Sequence, residues 1–218
     1  PTMRQASFRI DAGTAVALPG TREFSVRSAG GLDYRVQVAV PPGDAPAQGY
    51  ATLMLLDGNA YFAAAAQAMR MLASYAAPRP AGDSPPPLLI VGVGYPGDAP
   101  LHGARRTWDF LPPPRDPSTL EAHRARLRAA PGGADAFLDF LLTELRPALH
   151  ARYTLRPDWH TLAGHSLGGY FTLHALMQRP QAFQRYAAIS PSLWWDGERL
   201  IDEMALAQPQ RARDLLAV

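Results

Sequence analysis

The pentapeptide Gly164-His165-Ser166-Leu167-Gly168 constrains this chain more than any other stretch, because of what flanks it. The apolar run Thr161-Leu162-Ala163 precedes it, and from Leu167 to about Gln178 apolar residues recur at helical spacing. A Gly-x-Ser-x-Gly turn between a strand and a helix is so sharp that the serine backbone is strained. The residues two before and two after must then lack side chains, so Gly164 and Gly168 read as steric requirements. The turn exposes the Ser166 hydroxyl at the edge of a sheet. It also sets the Leu167 N–H and the positive end of the following helix beside that hydroxyl. The competing reading is a serine that merely caps a helix. His165, immediately before the serine, points away from it and reads as a packed histidine rather than a base.

The rest of the sequence supplies a sheet for this turn. Residues 7–10, 23–28 and 32–40 alternate in polarity, with Gly30-Gly31 between the last two, which predicts an antiparallel entry hairpin. Residues 51–56 and 87–94 are continuous apolar runs, as expected of parallel strands covered on both faces. Helical spacing follows the first of these from residue 60 to about 76. A further amphipathic helix begins after Gly132-Gly133, with Phe137, Leu138, Leu141, Leu142, Leu145 and Leu149 on one face, and Pro147 is expected to kink or end it. Residues 186–189 form a strand, 197–206 a helix, and 215–218 the start of another strand. This alternation predicts one α/β domain over residues 1–218, with a doubly wound, mostly parallel sheet behind an antiparallel hairpin. That is the α/β-hydrolase layout.

Two other stretches invite a functional reading. Gly92-x-Gly94-x-x-Gly97 matches a dinucleotide fingerprint, but Pro96 and Pro100 forbid the helix whose N-terminus would cradle a pyrophosphate. The proline-rich connection over 96–132 exceeds the usual loop length and reads as a lid-like insertion. Its basic segment, residues 123–128, is either a solvated helical face or an attractor of anionic substrate.

Composition removes several chemistries. There is no cysteine, hence no disulfide, thiolate metal site or cysteine nucleophile. All 21 basic residues are arginine, a pattern of genomic base composition, and the net charge is only +2, so no nucleic-acid partner is implied. No stretch reaches the roughly 18 apolar residues of a spanning helix, so no membrane partner is implied either. Localisation stays open between bacterial cytoplasm and periplasm, and composition says nothing of oligomeric state.

Acyl transfer by Ser166 needs two oxyanion donors and an oriented base. Leu167 N–H supplies one donor. The second comes from the backbone of Gly58 or Asn59, in the loop after the 51–56 strand. Asn59 has the alternative role of a helix cap. Of the six histidines only His102 and His123, on the long connection, are placed to swing toward Ser166. In this layout the acid and the histidine follow the strand near Leu215, so both are expected beyond Val218, and the chain reads as truncated at its C-terminus.

Five blocks appear in order: Leu55-Leu56-Asp57-Gly58-Asn59-Ala60, Val91-Gly92-Val93-Gly94-Tyr95, Arg106-Thr107-Trp108-Asp109-Phe110-Leu111-Pro112, Gly164-His165-Ser166-Leu167-Gly168-Gly169 and Ser190-Pro191-Ser192-Leu193-Trp194-Trp195. Together they resemble the esterase family of α/β-hydrolases that includes the enterochelin, salmochelin and bacillibactin siderophore esterases. The resemblance implies hydrolysis of a small-molecule ester through an acyl-enzyme on Ser166, the trilactone backbone of a catecholate siderophore among the candidates, with no metal and no cofactor. It implies that Arg106 contacts substrate, the alternative being a salt bridge with Asp109. Trp194 and Trp195 form an aromatic wall, or one of them is core. The alternatives to hydrolysis are a siderophore-binding relative without catalysis and an acyltransferase.

Overall fold

The structure, a computed structural model, describes residues 12–75, 86–206 and 215–217. The chain enters through the antiparallel pair β1 (Thr21–Arg27) and β2 (Asp33–Ala39), in register from Thr21 opposite Ala39 to Arg27 opposite Asp33. β3 (Tyr50–Leu56) leads into α1 (Gly58–Tyr75), and β4 (Leu88–Gly94) follows. The long connection holds α2 (Gly103–Phe110) and the short α3 (Ser118–Ala122). After α4 (Ala134–Asp139) and α5 (Arg146–Arg152) come β5 (Leu155–His165), α6 (Leu167–Gln178), β6 (Arg185–Ile189), α7 (Arg199–Leu206) and β7 (Leu215–Ala217). The expected strand at 7–10 lies outside the described residues.

Seven strands form one sheet in the order β1-β2-β4-β3-β5-β6-β7. β2 runs antiparallel to β4, and every pairing from β4 to β7 is parallel. Strand periodicity of two splits β4 between two cores: Leu89, Val91 and Val93 enter a large apolar cluster, while Ile90 joins a smaller one with Ala39, Phe62, Ala66 and Met69. The smaller cluster lies under α1. The larger one, with Phe110, Phe137, Phe171 and Leu200, lies under α2, α4, α6 and α7. Both sheet faces are therefore covered in the middle, which is why β3 and β4 read as continuous apolar runs. No helix among the described residues is long and apolar enough to cross a membrane.

Two expectations are narrowed. Pro147 does not end its helix. A π-helical stretch, Phe140–Leu145, joins α4 to α5, and Pro147 sits in the first turn of α5. The wider turn is where a ring that cannot donate an N–H is accommodated. The basic segment 123–128 is not a helical face. α3 ends at Ala122, and turns follow in which Arg126 N and Leu127 N both donate to the His123 carbonyl. The Gly92/Gly94 pair, left without a role once the dinucleotide fingerprint is rejected, serves packing. A Cβ on Gly92 would lie 2.9 Å from the Phe62 Cβ, and one on Gly94 would overlap the Asn59 side chain. The two glycines let the N-terminus of α1 approach β4.

His160 illustrates how tightly the centre of the sheet is set. It lies on β5, is 5% exposed, and shares a 2.6 Å hydrogen bond between its Nδ1 and the Thr52 hydroxyl of β3. Burial, with Arg146 and His150 nearby, depresses its pKa from 6.5 to about 4. A histidine buried in its neutral form contributes stability that is fully present above about pH 6.5 and is lost as the pH falls through 4. Asp109 acts with the opposite sign. Burial outweighs Arg105 and raises its pKa from 3.8 to about 6, so its contribution is present below about 4 and lost as the pH rises through 6. Between pH 7 and pH 4.5, the urea midpoint of the protein should therefore fall more steeply than that of His160→Gln. Parallel slopes for the two proteins would contradict this account of His160.

Candidate active site

β5 ends at His165, and Ser166 takes φ 59°, ψ −116°, a left-handed backbone that a side chain normally avoids. The chain then enters α6 at Leu167. The strain is locked from both sides: Ser166 N–H donates to the Ile189 carbonyl at 3.0 Å, and the Ser166 carbonyl accepts from Tyr170 N and from Ser192 N, each at 3.0 Å. Gly164 is required because a Cβ there would lie 2.9 Å from the Gly168 Cα and closer still to the Gly168 carbonyl. Gly168 itself is less constrained than the pentapeptide implies. A Cβ on it would meet only Leu56 Cβ at 3.4 Å and Asp57 Oδ2 at 3.5 Å, ordinary contact distances. The tighter position is Gly169, whose Cβ would lie 3.0 Å from both the Ile189 carbonyl and the Pro191 Cα.

The Ser166 side chain is half-buried, and its one hydrogen-bond partner among the described residues is the Ser192 hydroxyl, Oγ to Oγ 3.1 Å. The hydroxyl is thus not bare, as the sequence suggests, but shared with a second serine. Ser192 was legible only as part of the Ser190-Pro191-Ser192 block, with nothing in its spacing to mark it. Leu167 is the first residue of α6, so its N–H has no acceptor within the helix. Gly58 and Asn59 are the first two residues of α1, and their N–H groups are in the same position. Leu56 and Asp57, just ahead of them, lie against Gly168 in the first turn of α6. The residues that lead into α1 therefore lie against the first turn of α6. Asn59 is not a cap. Its side chain accepts from Tyr95 N and donates to the Tyr95 and Gly97 carbonyls, each at 3.0 Å, pinning the end of β4.

Arg106 is buried, and its ion pair is not with Asp109. It forks onto Asp57, with Nε to Oδ1 at 3.0 Å and Nη2 to Oδ2 at 2.8 Å. Asp109 pairs instead with Arg105 at 3.5 Å and accepts from the Tyr34 hydroxyl at 3.3 Å. Burial pushes the Asp57 carboxyl upward, and the Arg106 guanidinium pulls it back. Trp195 is fully buried and belongs to the core, so it is no part of a substrate wall. Trp194 is half-buried, with the His123 ring 4.8 Å away and the Arg126 guanidinium 5.0 Å over its face.

Neither histidine of the long connection turns toward Ser166. His102 Nδ1 accepts from Arg105 N at the start of α2, and His123 lies against Trp194. His165 bonds the Tyr61 hydroxyl through Nδ1 at 2.9 Å, His174 bonds Asp135, and His150 meets the His160 ring edge-on. No histidine among the six hydrogen-bonds the Ser166 hydroxyl.

A mostly parallel sheet with an antiparallel entry pair, and a strained serine between a central strand and a helix, define an α/β-hydrolase. The chain belongs to the family described as "Putative esterase", whose model matches residues 28–216. It is 34% identical over 196 residues to the ferri-bacillibactin esterase BesA of Bacillus subtilis, covering 88% of this chain and 66% of that protein. It is 36% identical over 202 residues to the siderophore triacetylfusarinine C esterase of Aspergillus fumigatus, covering 88% and 63%. Its structure is similar to that of the BES protein from Bacillus cereus, with a TM-score of 0.78 at 29% identity over 91% of this chain and 71% of that one. The chain thus spans just under two thirds of the length of these two relatives.

The geometry of the turn separates its glycines. Gly164→Ala should lower unfolding free energy by roughly 2–4 kcal/mol, because the blocking atoms are backbone, whereas Gly168→Ala should change it by no more than about 1 kcal/mol. Urea denaturation of the two variants measures the difference. Equal costs would contradict the packing described for the turn.

Proposed function

We propose that this protein is a serine hydrolase that cleaves carboxylic esters through an acyl-enzyme on Ser166. Ester-linked siderophores, including the trilactone backbone of the catecholate class, are the proposed substrates. The observation that carries the reading is the conformation of Ser166, a strained residue between the carboxyl end of β5 and the start of α6. In such a geometry Oγ attacks the ester carbonyl. Negative charge then develops on the carbonyl oxygen, where Leu167 N–H and the N–H of Gly58 or Asn59 are the proposed donors. Each such donor is worth about 10²–10³ in turnover. The names of the Bacillus subtilis and Aspergillus fumigatus relatives support the substrate class. Trp194, with Arg126 over its ring, supports an aromatic and anionic substrate.

The alternative, and the second reading, is a relative that binds siderophores without cutting them. Turnover of p-nitrophenyl esters by the full-length protein separates the two. Hydrolysis is expected, with Ser166→Ala slower by roughly 10³-fold or more. Equal rates for the two proteins would reject the serine mechanism. Binding of a siderophore that mass analysis recovers intact would favour the second reading.

A further inference from the structure

The loop that offers Gly58 and Asn59 is held by an ion pair that neither the turn nor the helices require. Asp57 follows β3 directly and has φ 53°, so its backbone stays in this conformation only if its surroundings impose it. Its carbonyl accepts from Ala60 N at 2.9 Å and Tyr61 N at 3.3 Å. The peptide plane that carries this carbonyl also carries the Gly58 N–H, so any relaxation of Asp57 swings that donor away.

At the other end of the residue, both carboxylate oxygens are taken by the fork of Arg106, at 3.0 and 2.8 Å. A two-point fork fixes the plane of the carboxylate as well as its distance. The partners lie 49 residues apart, with side chains 11% and 1% exposed. Arg106 is itself held on α2, which begins at the His102 cap and packs against α4 and α6. The edge of the guanidinium formed by Nε and Nη2 is thus committed to Asp57 rather than to a substrate anion.

We propose that Asp57 and Arg106 are a positioning pair for the oxyanion-binding loop, and that Arg106 acts on turnover through Asp57 rather than by touching substrate. This inference rests on the serine-esterase reading. It ties the geometry of the donors to the long connection over 96–132, of which α2 is part.

The test uses the full-length protein with two esters: p-nitrophenyl acetate, too small to reach distant contacts, and a siderophore ester. Wild type against Ser166→Ala first establishes that Ser166 carries the hydrolysis, so failure of that reading shows itself separately. Asp57→Asn and Arg106→Lys are then assayed well below their melting temperatures, so that rates refer to folded molecules. Each variant loses the fork and keeps a single hydrogen bond. The expected result is a fall in kcat of about 10- to 100-fold with KM within about 3-fold, for both esters alike. The rate of Ser166 modification by a fluorophosphonate should fall by the same factor. Should Asp57→Asn not fold, Arg106→Lys, which leaves Asp57 in place, carries the same prediction. A lowered melting temperature with unchanged kcat would show a merely structural pair. A raised KM confined to the siderophore ester would show a substrate contact. Either result overturns the proposal.

Discussion

The left-handed backbone at the ends of three neighbouring parallel strands is the constraint on which the site depends. Asp57 after β3, Ser166 after β5 and Ser190 after β6 have φ of 53°, 59° and 42°. Such a conformation costs a non-glycine residue roughly 1–3 kcal/mol, and three together persist only where neighbours over-determine them. Here the three ends hold one another. Ser166 N–H reaches the Ile189 carbonyl at the end of β6, Ser192 N–H returns to the Ser166 carbonyl, and Asp57 lies against Gly168 in the first turn of α6. Each sharp turn starts or redirects the chain at the carboxyl edge of the sheet. Two of them open directly into helices, whose first N–H groups have no acceptor of their own.

Close approach of backbone makes this convergence possible. Gly164 admits the Gly168 backbone, Gly169 admits the segment after β6, and Gly92 and Gly94 admit the start of α1. The sheet fixes the strand ends, the glycines bring the helix starts down onto them, and polar anchors then set the fine position. Asn59 binds the end of β4, and Arg106 binds Asp57. The large apolar cluster beneath α2 and α6 supports the Arg106 anchor, whose guanidinium lies 5.6 Å from the centre of the Phe110 ring, itself 5.7 Å from Phe171 of α6.

Much of this was legible in the amino-acid sequence because it follows from period and composition. The alternation of apolar strands and helices gave the doubly wound sheet, and Gly-x-Ser-x-Gly placed the nucleophile candidate. Long-range pairing was not legible. Arg106 and Asp109 lie at a spacing that suggests a helical salt bridge, yet a partner 49 residues away supplies better geometry. The doublet Trp194-Trp195 reads as a wall, but successive residues face different ways, and the Trp195 ring lies in the core. The π-helical stretch before Pro147 and the greater demand on Gly169 than on Gly168 depend on packing that no local pattern encodes. The Ser166–Ser192 hydroxyl pair depends on such packing as well.

Ser166 and Ser192 present hydroxyls 3.1 Å apart, and only one of them stands at the strained strand-to-helix turn. Treatment of the full-length protein with a fluorophosphonate, followed by peptide mass spectrometry, tests most directly whether that turn makes the nucleophile. A single adduct on Ser166 is predicted. An adduct on Ser192, or none at all under conditions that modify a known serine hydrolase, would contradict the account.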